Sequence, residues 1–207
     1  MKSKAILALC AALLCSCAPK QSEPMNNDTT TNTTTISDIM SRTSIRQFTD
    51  EAIAESDLET LLRAGMAAPS CCNIQPWHFV VVKDQTVRQQ MADAFGPAKP
   101  AAQAPVVVVV CGDMQIMNES PVKDNTDYWV CDACAATENI LVAANSLGLG
   151  GVWMGVWPMQ NRILKLQELL SLPEYIVPLN MIALGHPAEQ PEPKDKWKPE
   201  RIHQDKW

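Results

Sequence analysis

The sequence lacks an opening apolar run long enough to cross a membrane: Ala5 to Leu14 covers about half a bilayer core at 1.5 Å per residue. It also lacks a basic run, and its formal net charge is −6, so it carries no electrostatic footprint for nucleic acid. There is no Gly-x-Ser-x-Gly elbow and no metal-binding histidine pair, and His78, His186 and His203 read as structural residues. No internal repeat is visible. The glycines at 148, 150, 151 and 155 follow a helical segment, whereas a dinucleotide fingerprint places them after a strand. No Gly-Lys-Ser/Thr ending completes a phosphate-binding Walker loop.

What is there begins with an address. Lys2 and Lys4, the short apolar run, and Leu14-Cys15-Ser16-Cys17 have the layout of an export signal. The last four residues resemble a bacterial lipobox, which makes residues 1–17 a lipoprotein signal and Cys17 the lipidated new N-terminus; a plain secretory signal cut elsewhere is the alternative. Residues 18–35, rich in Thr and Asn and nearly free of large apolar side chains, are expected to form a flexible tether. As a coil, such a tether reaches roughly 20 to 25 Å. Residues 36–207 suit one domain.

Within that domain, apolar Leu58, Leu61, Leu62 and Met66 predict a helix over about 56–68, with Ser56 and Glu59 at capping-box spacing. "HFVVVK" reads as a strand, "DQTVRQQMADAF" as a helix, and "PVVVVVCGD" as a strand covered on both faces. The segment from Tyr128 to Leu147 is apolar or small around most of its circumference and is expected to be a helix buried on nearly all sides. "MQNRILKLQELLSL" and "VPLNMIALG" add a helix and a strand. This alternation gives an α/β or α+β domain.

Three polar clusters interrupt the pattern. Arg42, Ser44 and Arg46 alternate after a short amphipathic helix, so in an extended chain two guanidinium groups and a hydroxyl share a face, as a phosphate cradle requires or as a solvated basic edge allows. Pro69, Ser70, Asn73, Gln75 and Pro76 form a loop closed by Trp77, either an ordinary capped turn or a set of amides addressing a ring with alternating donors and acceptors. "GLGLGGVWMGVWP" permits close backbone approach to a ligand, or caps a helix and packs a strand tightly.

Taken in order, these segments resemble the nitroreductase family of FMN-dependent oxidoreductases over nearly all of 36–207. The matching residues are Arg42, Ser44, Arg46 and Phe48; then Pro69, Ser70, Asn73, Gln75, Pro76 and Trp77; then the stretch from Leu147 to Gly155. The resemblance implies an α+β, three-layer α/β/α fold with a central mixed sheet and a long buried helix. It implies that Arg42, Ser44 and Arg46 hold the FMN phosphate, joined by Lys194 and Lys196 and more weakly by Arg201. Pro69, Ser70, Asn73 and Gln75 would reach the flavin from the partner of an intertwined homodimer, with Met154 and Gly155 beside its ring. Electrons would pass from NAD(P)H or another donor through the flavin N5 to a nitroaromatic, quinone or similar small acceptor by a ping-pong route, with no catalytic side chain required.

Two other readings stay open at this stage. Cys131 and Cys134 have CxxC spacing and Cys71 adjoins Cys72, which would fit an exported thiol-redox or metal protein. No strand precedes "YWVCDAC", however, and the five cysteines beyond Cys17 cannot all pair. The same phosphate and ring contacts would also serve a non-enzymatic FMN-binding lipoprotein. The stretch from Asp113 to Thr126 is a candidate lid over the acceptor. A lipidated Cys17 implies a bacterial cell-envelope location outside the cytoplasm, where free nicotinamide cofactor is expected to be scarce.

Overall fold

A computed structural model describes residues 29–119 and 127–207. The proposed signal and lipidation site, residues 18–28 of the expected tether, and half of the candidate lid, residues 120–126, lie outside them. At the centre is a four-stranded sheet in the order β1-β2-β4-β3, with β1 Trp77–Val82, β2 Val106–Asp113, β3 Gly150–Gly155 and β4 Ile176–Gly185. Every residue of β2 is buried. Its alternation divides the core: Val107, Val109 and Cys111 face one apolar cluster, and Val106, Val108 and Val110 face another. Each buried valine contributes up to roughly 1.5–3 kcal/mol relative to exposure.

The first cluster is closed by helices α3 Gln85–Ala94, α4 Lys99–Gln103 and α7 Gln160–Leu170, through Met91, Ala101, Ile163 and Leu166. Helices α2 Glu55–Met66 and α6 Tyr128–Ser146 close the second, through Leu58, Leu61, Trp129 and Ile140. The result is the expected three-layer α+β arrangement. α1 Thr29–Ser41 lies beside α6, where Asn145 Nδ2 donates to Asp38 O at 2.9 Å. The short α5 Met114–Asn118 is N-capped by Asp113, whose Oδ1 accepts from Gln115 N at 2.8 Å.

Several details depart from expectation. All three strand pairings are antiparallel, so the sheet is mixed only through an isolated parallel bridge between Ser44 and Gly151. A strand buried on both faces carries the same apolar run in either direction, so its sequence does not encode orientation. α2 has no capping box: Ala54 is its N-cap, and Glu59 turns along the helix to pair with Arg63 at 2.6 Å. α1 begins at Thr29, inside the stretch expected as tether. α6 is covered by the sheet and α2 on one side, but Val130, Cys134, Ala135 and Val142 are only half-buried and Glu138 is exposed.

Candidate functional site

Residues 42–46 run from the end of α1 along the free edge of β3. Ile45 N donates to Gly151 O at 3.0 Å, and the ideal Cβ of an alanine at 150 would stand 2.7 Å from Ile45 Cβ, so a glycine there lets the two segments touch. Glu189 Oε1 accepts from Arg46 N at 2.6 Å and from Gln47 N at 3.2 Å, fixing the next two residues. The chain after β4 then folds back over this segment. Arg42, Ser44, Arg46, Lys194 and Lys196 thereby line one pocket of about 690 Å³ with Ile39, Met40 and Trp197.

Four cations and a hydroxyl in one pocket suit a phosphate dianion, because charge-assisted hydrogen bonds are the strong ones. Three carboxylates that sequence reasoning did not single out also line this pocket, Glu138, Glu192 and Asp195. Glu138 of α6 pairs with Arg42 at 3.3 Å, and Arg42 itself is largely covered. The sequence signal for Glu138 was a charge midway along a mostly apolar helix. Arg201, at the turn Pro199–Arg201, is exposed and does not line the pocket.

The other expected contacts lie elsewhere. Pro69, Ser70, Asn73 and Gln75 are outside the pocket, in a turn between α2 and β1 that satisfies much of its own polarity. Gln75 N donates to Ser70 Oγ at 2.9 Å, and Gln75 Nε2 to Asn73 Oδ1 at 3.2 Å. Cys72, Asn73 and Gln75 all take positive φ values, the left-handed region that asparagine tolerates and other side chains adopt at a cost. The turn rests on α6 through Cys71 N, which donates to Asp132 Oδ1 at 2.9 Å. The second oxygen of Asp132 is buried without a hydrogen-bond partner, and this desolvation raises its carboxyl above the ordinary value while the Cys71 amide partly offsets it.

At the end of β3, Met154 and Gly155 differ. The Met154 side chain is buried in the core beneath α7, leaving only its backbone for a ligand. Gly155 faces open space, since a Cβ there would meet nothing within 4 Å. Gly151 O is bonded on the side away from β4, and residues of one parity in an antiparallel ladder share a direction, so the Gly155 N–H also points away from β4. Its carbonyl accepts from Arg162 Nη1 at 2.8 Å, a contact not expected from sequence. Gly155 lies four residues beyond Gly151, about 13 Å along the strand from the basic pocket.

The cysteines do not form a second centre. All five among the described residues are free thiols, and no cluster of three or more His, Cys, Asp or Glu there could hold a metal ion. Cys131 and Cys134 lie inside α6, and burial pushes the Cys134 thiol up, with Cys131 adding to the effect. That is opposite to the activation a catalytic thiolate needs.

Comparison with known proteins accounts for the same segments. The nitroreductase family model matches residues 39–101 and 96–186. An Archaeoglobus fulgidus protein named "Putative NADH dehydrogenase/NAD(P)H nitroreductase" is 43% identical over 82% of this chain and 96% of its own length. A crystal structure of a protein of the same description from Parabacteroides distasonis superposes with a TM-score of 0.78 at 36% identity, covering 84% of this chain and 98% of that one. The NADPH:FMN oxidoreductase of Vibrio harveyi, solved with NAD+, gives a TM-score of 0.75 at 31% identity over 84% of this chain and 78% of that one. The family match spans the Arg42–Arg46 segment, the polar turn and the open end of β3 together, and this chain belongs to the nitroreductase family.

Proposed function

We propose that this protein is an FMN-dependent oxidoreductase that passes electrons from NAD(P)H, or another donor, to a nitroaromatic, quinone or similar small acceptor, the two substrates using one slot in turn. The observation that carries this reading is the convergence of Arg42, Ser44, Arg46, Lys194 and Lys196 on one pocket, beside a strand whose far end leaves the Gly155 N–H open. Relatives named as NADPH nitroreductase and as FMN reductase support the donor and the cofactor. Bound FMN supplies a ring nitrogen that takes up and returns a hydride equivalent.

The chain's own residues then hold and orient. The two arginines and two lysines neutralise the phosphate, and the Ser44 hydroxyl donates to it. The Gly155 N–H would face the ring edge, and Arg162 holds the Gly155 peptide through its carbonyl. Asn73 and Gln75 are exposed and outside the pocket of their own subunit, which supports a homodimer in which each turn serves the partner's flavin. The half-buried stripe of α6 and the exposed Ile36, Ile39, Met40 and Trp197 provide apolar surface for that association.

Cys17 is proposed to carry a lipid that tethers the enzyme to the bacterial envelope, outside the cytoplasm. Its basis is the Leu14-Cys15-Ser16-Cys17 sequence, and a Cys17→Ser variant is expected to lose fatty-acid labelling and leave the membrane fraction.

The function is tested by anaerobic addition of NADH or NADPH to the protein reconstituted with FMN. Bleaching of the flavin band, restored by a nitroaromatic or quinone, is the expected result. A bound flavin that no donor reduces would indicate a carrier, and failure to bind FMN would remove the whole reading.

A further inference from the structure

Cys71 and Cys72 are sequence neighbours, and in an extended chain their side chains would point to opposite faces. Here they do not. Cys72 takes a left-handed conformation, φ +50°, and its Sγ lies 4.0 Å from that of Cys71. The turn is pinned on both sides of the pair: Cys71 N donates to Asp132 Oδ1 at 2.9 Å, and Ile74 N donates to Cys71 O at 3.0 Å. Cys72 is exposed and Cys71 half-buried, and both are free thiols.

We propose that Cys71 and Cys72 are a modification site that closes to a reversible vicinal disulfide by exchange with a small-molecule disulfide. The exposed Cys72 thiolate attacks one sulfur of the disulfide, forming a mixed disulfide and releasing one thiol. The Cys71 thiolate then attacks the Cys72 sulfur, closing the Cys71–Cys72 bond and releasing the second thiol. The protein loses two electrons and two protons, and the small disulfide gains them. Burial raises the Cys71 thiol, and the neighbouring Cys72 adds to the shift, which assigns the first attack to Cys72.

The bridge is of the labile kind. Successive Cα atoms across a trans peptide are about 3.8 Å apart, shorter than the roughly 4.4 Å at which ordinary disulfides begin, so the closed form is strained and easily reduced. Closure also requires the Cys71–Cys72 peptide to turn, which disturbs the amide bond to Asp132 and the adjoining Ser70, Asn73 and Gln75. The chemistry needs only the two thiols and the disulfide, and it takes place in the turn that the proposed homodimer offers to the partner's flavin.

The test treats the full chain with cystamine, blocks remaining thiols with iodoacetamide and digests with trypsin. Residues 64–83 form one peptide between Arg63 and Lys83 that contains these two cysteines and no other. The expected result is that this peptide loses both alkylation sites and the mass of two hydrogens, recovers both on mild reduction with glutathione, and does neither in Cys72→Ser. A Cys131→Ser, Cys134→Ser double variant keeps the behaviour. Full alkylation of the peptide after cystamine, a mixed disulfide at Cys72 with Cys71 still alkylated, or oxidation confined to the peptide bearing Cys131 and Cys134 would each overturn the proposal.

Discussion

The basic segment at residues 42–46 and the polar turn at 69–75 are both short, irregular connections that follow a helix, yet the protein treats them differently. The first is fastened by its backbone, to Gly151 and to Glu189, and its cationic side chains line the pocket, Arg42 there paired with Glu138. The second spends much of its side-chain polarity on itself, through Ser70, Asn73 and Gln75, and leans on a carboxylate with one unpartnered oxygen. A charged ligand head is therefore provided for within one subunit, whereas the neutral turn is complete as a turn and offers its exposed amides outward. On the proposed function, that difference would divide phosphate binding, within one chain, from ring recognition, between two.

The sharpest way to break that comparison is to remove the charge. Arg42→Ala with Arg46→Ala deletes two charge-assisted contacts of about 1.5–3 kcal/mol each, so FMN affinity falls by about 100-fold or more. Fluorescence titration with FMN and with riboflavin, which lacks the phosphate, reads the outcome. The double variant is expected to lose the preference for FMN while holding riboflavin as the native protein does. Gln75→Ala, in contrast, weakens both flavins alike and by less, about fivefold. Equal losses for both flavins in the arginine variant would mean that the basic pocket does not hold the phosphate.

A smaller effect separates two glycines on one strand. Gly150→Ala drives a Cβ into Ile45 and is expected to destabilise the fold by about 1–3 kcal/mol, seen as a lower denaturation midpoint in the protein without flavin. Gly155→Ala meets nothing in the chain and should leave that midpoint unchanged. If the ring lies against Gly155, the same substitution lowers flavin affinity about tenfold. A Gly155→Ala protein that binds FMN normally would move the ring away from the end of β3.

Much of this architecture was legible because burial writes itself into composition. The run of five valines could only be a strand covered on both sides, and the three amphipathic patterns at 56–68, 84–95 and 159–172 each became a helix within two or three residues. Strand direction was not legible, since the same apolar run serves either orientation. Ser56 and Glu59 misled because Glu59 found Arg63 one turn later, a local competitor that spacing alone cannot rank. Glu138 beside Arg42 and Arg162 on the Gly155 carbonyl were missed because each depends on a contact between elements that only the folded sheet brings together. The positions of Lys194 and Lys196 came from family resemblance alone; their chain segment carries no periodicity that points back to residue 42.

The smallest effect tests the carboxylate under the polar turn. Asp132 is desolvated with one oxygen unpartnered, so folding favours its neutral form and its carboxyl lies above the ordinary 3.8 in the native state. The sign follows from linkage: a raised native value adds stability below the unfolded value, and that contribution is lost as pH rises through the native one. Asp132→Asn keeps an oxygen for the Cys71 amide and never ionises. It should therefore be more stable than the native protein at pH 8 and equal to it at pH 3.5, measured by denaturant titration at both. A difference that stays constant with pH would show that the ionised carboxylate is solvated beneath the turn. The two segments would then be equally well satisfied, and the contrast between a completed charged half and a compromised neutral half would fail at its weaker end.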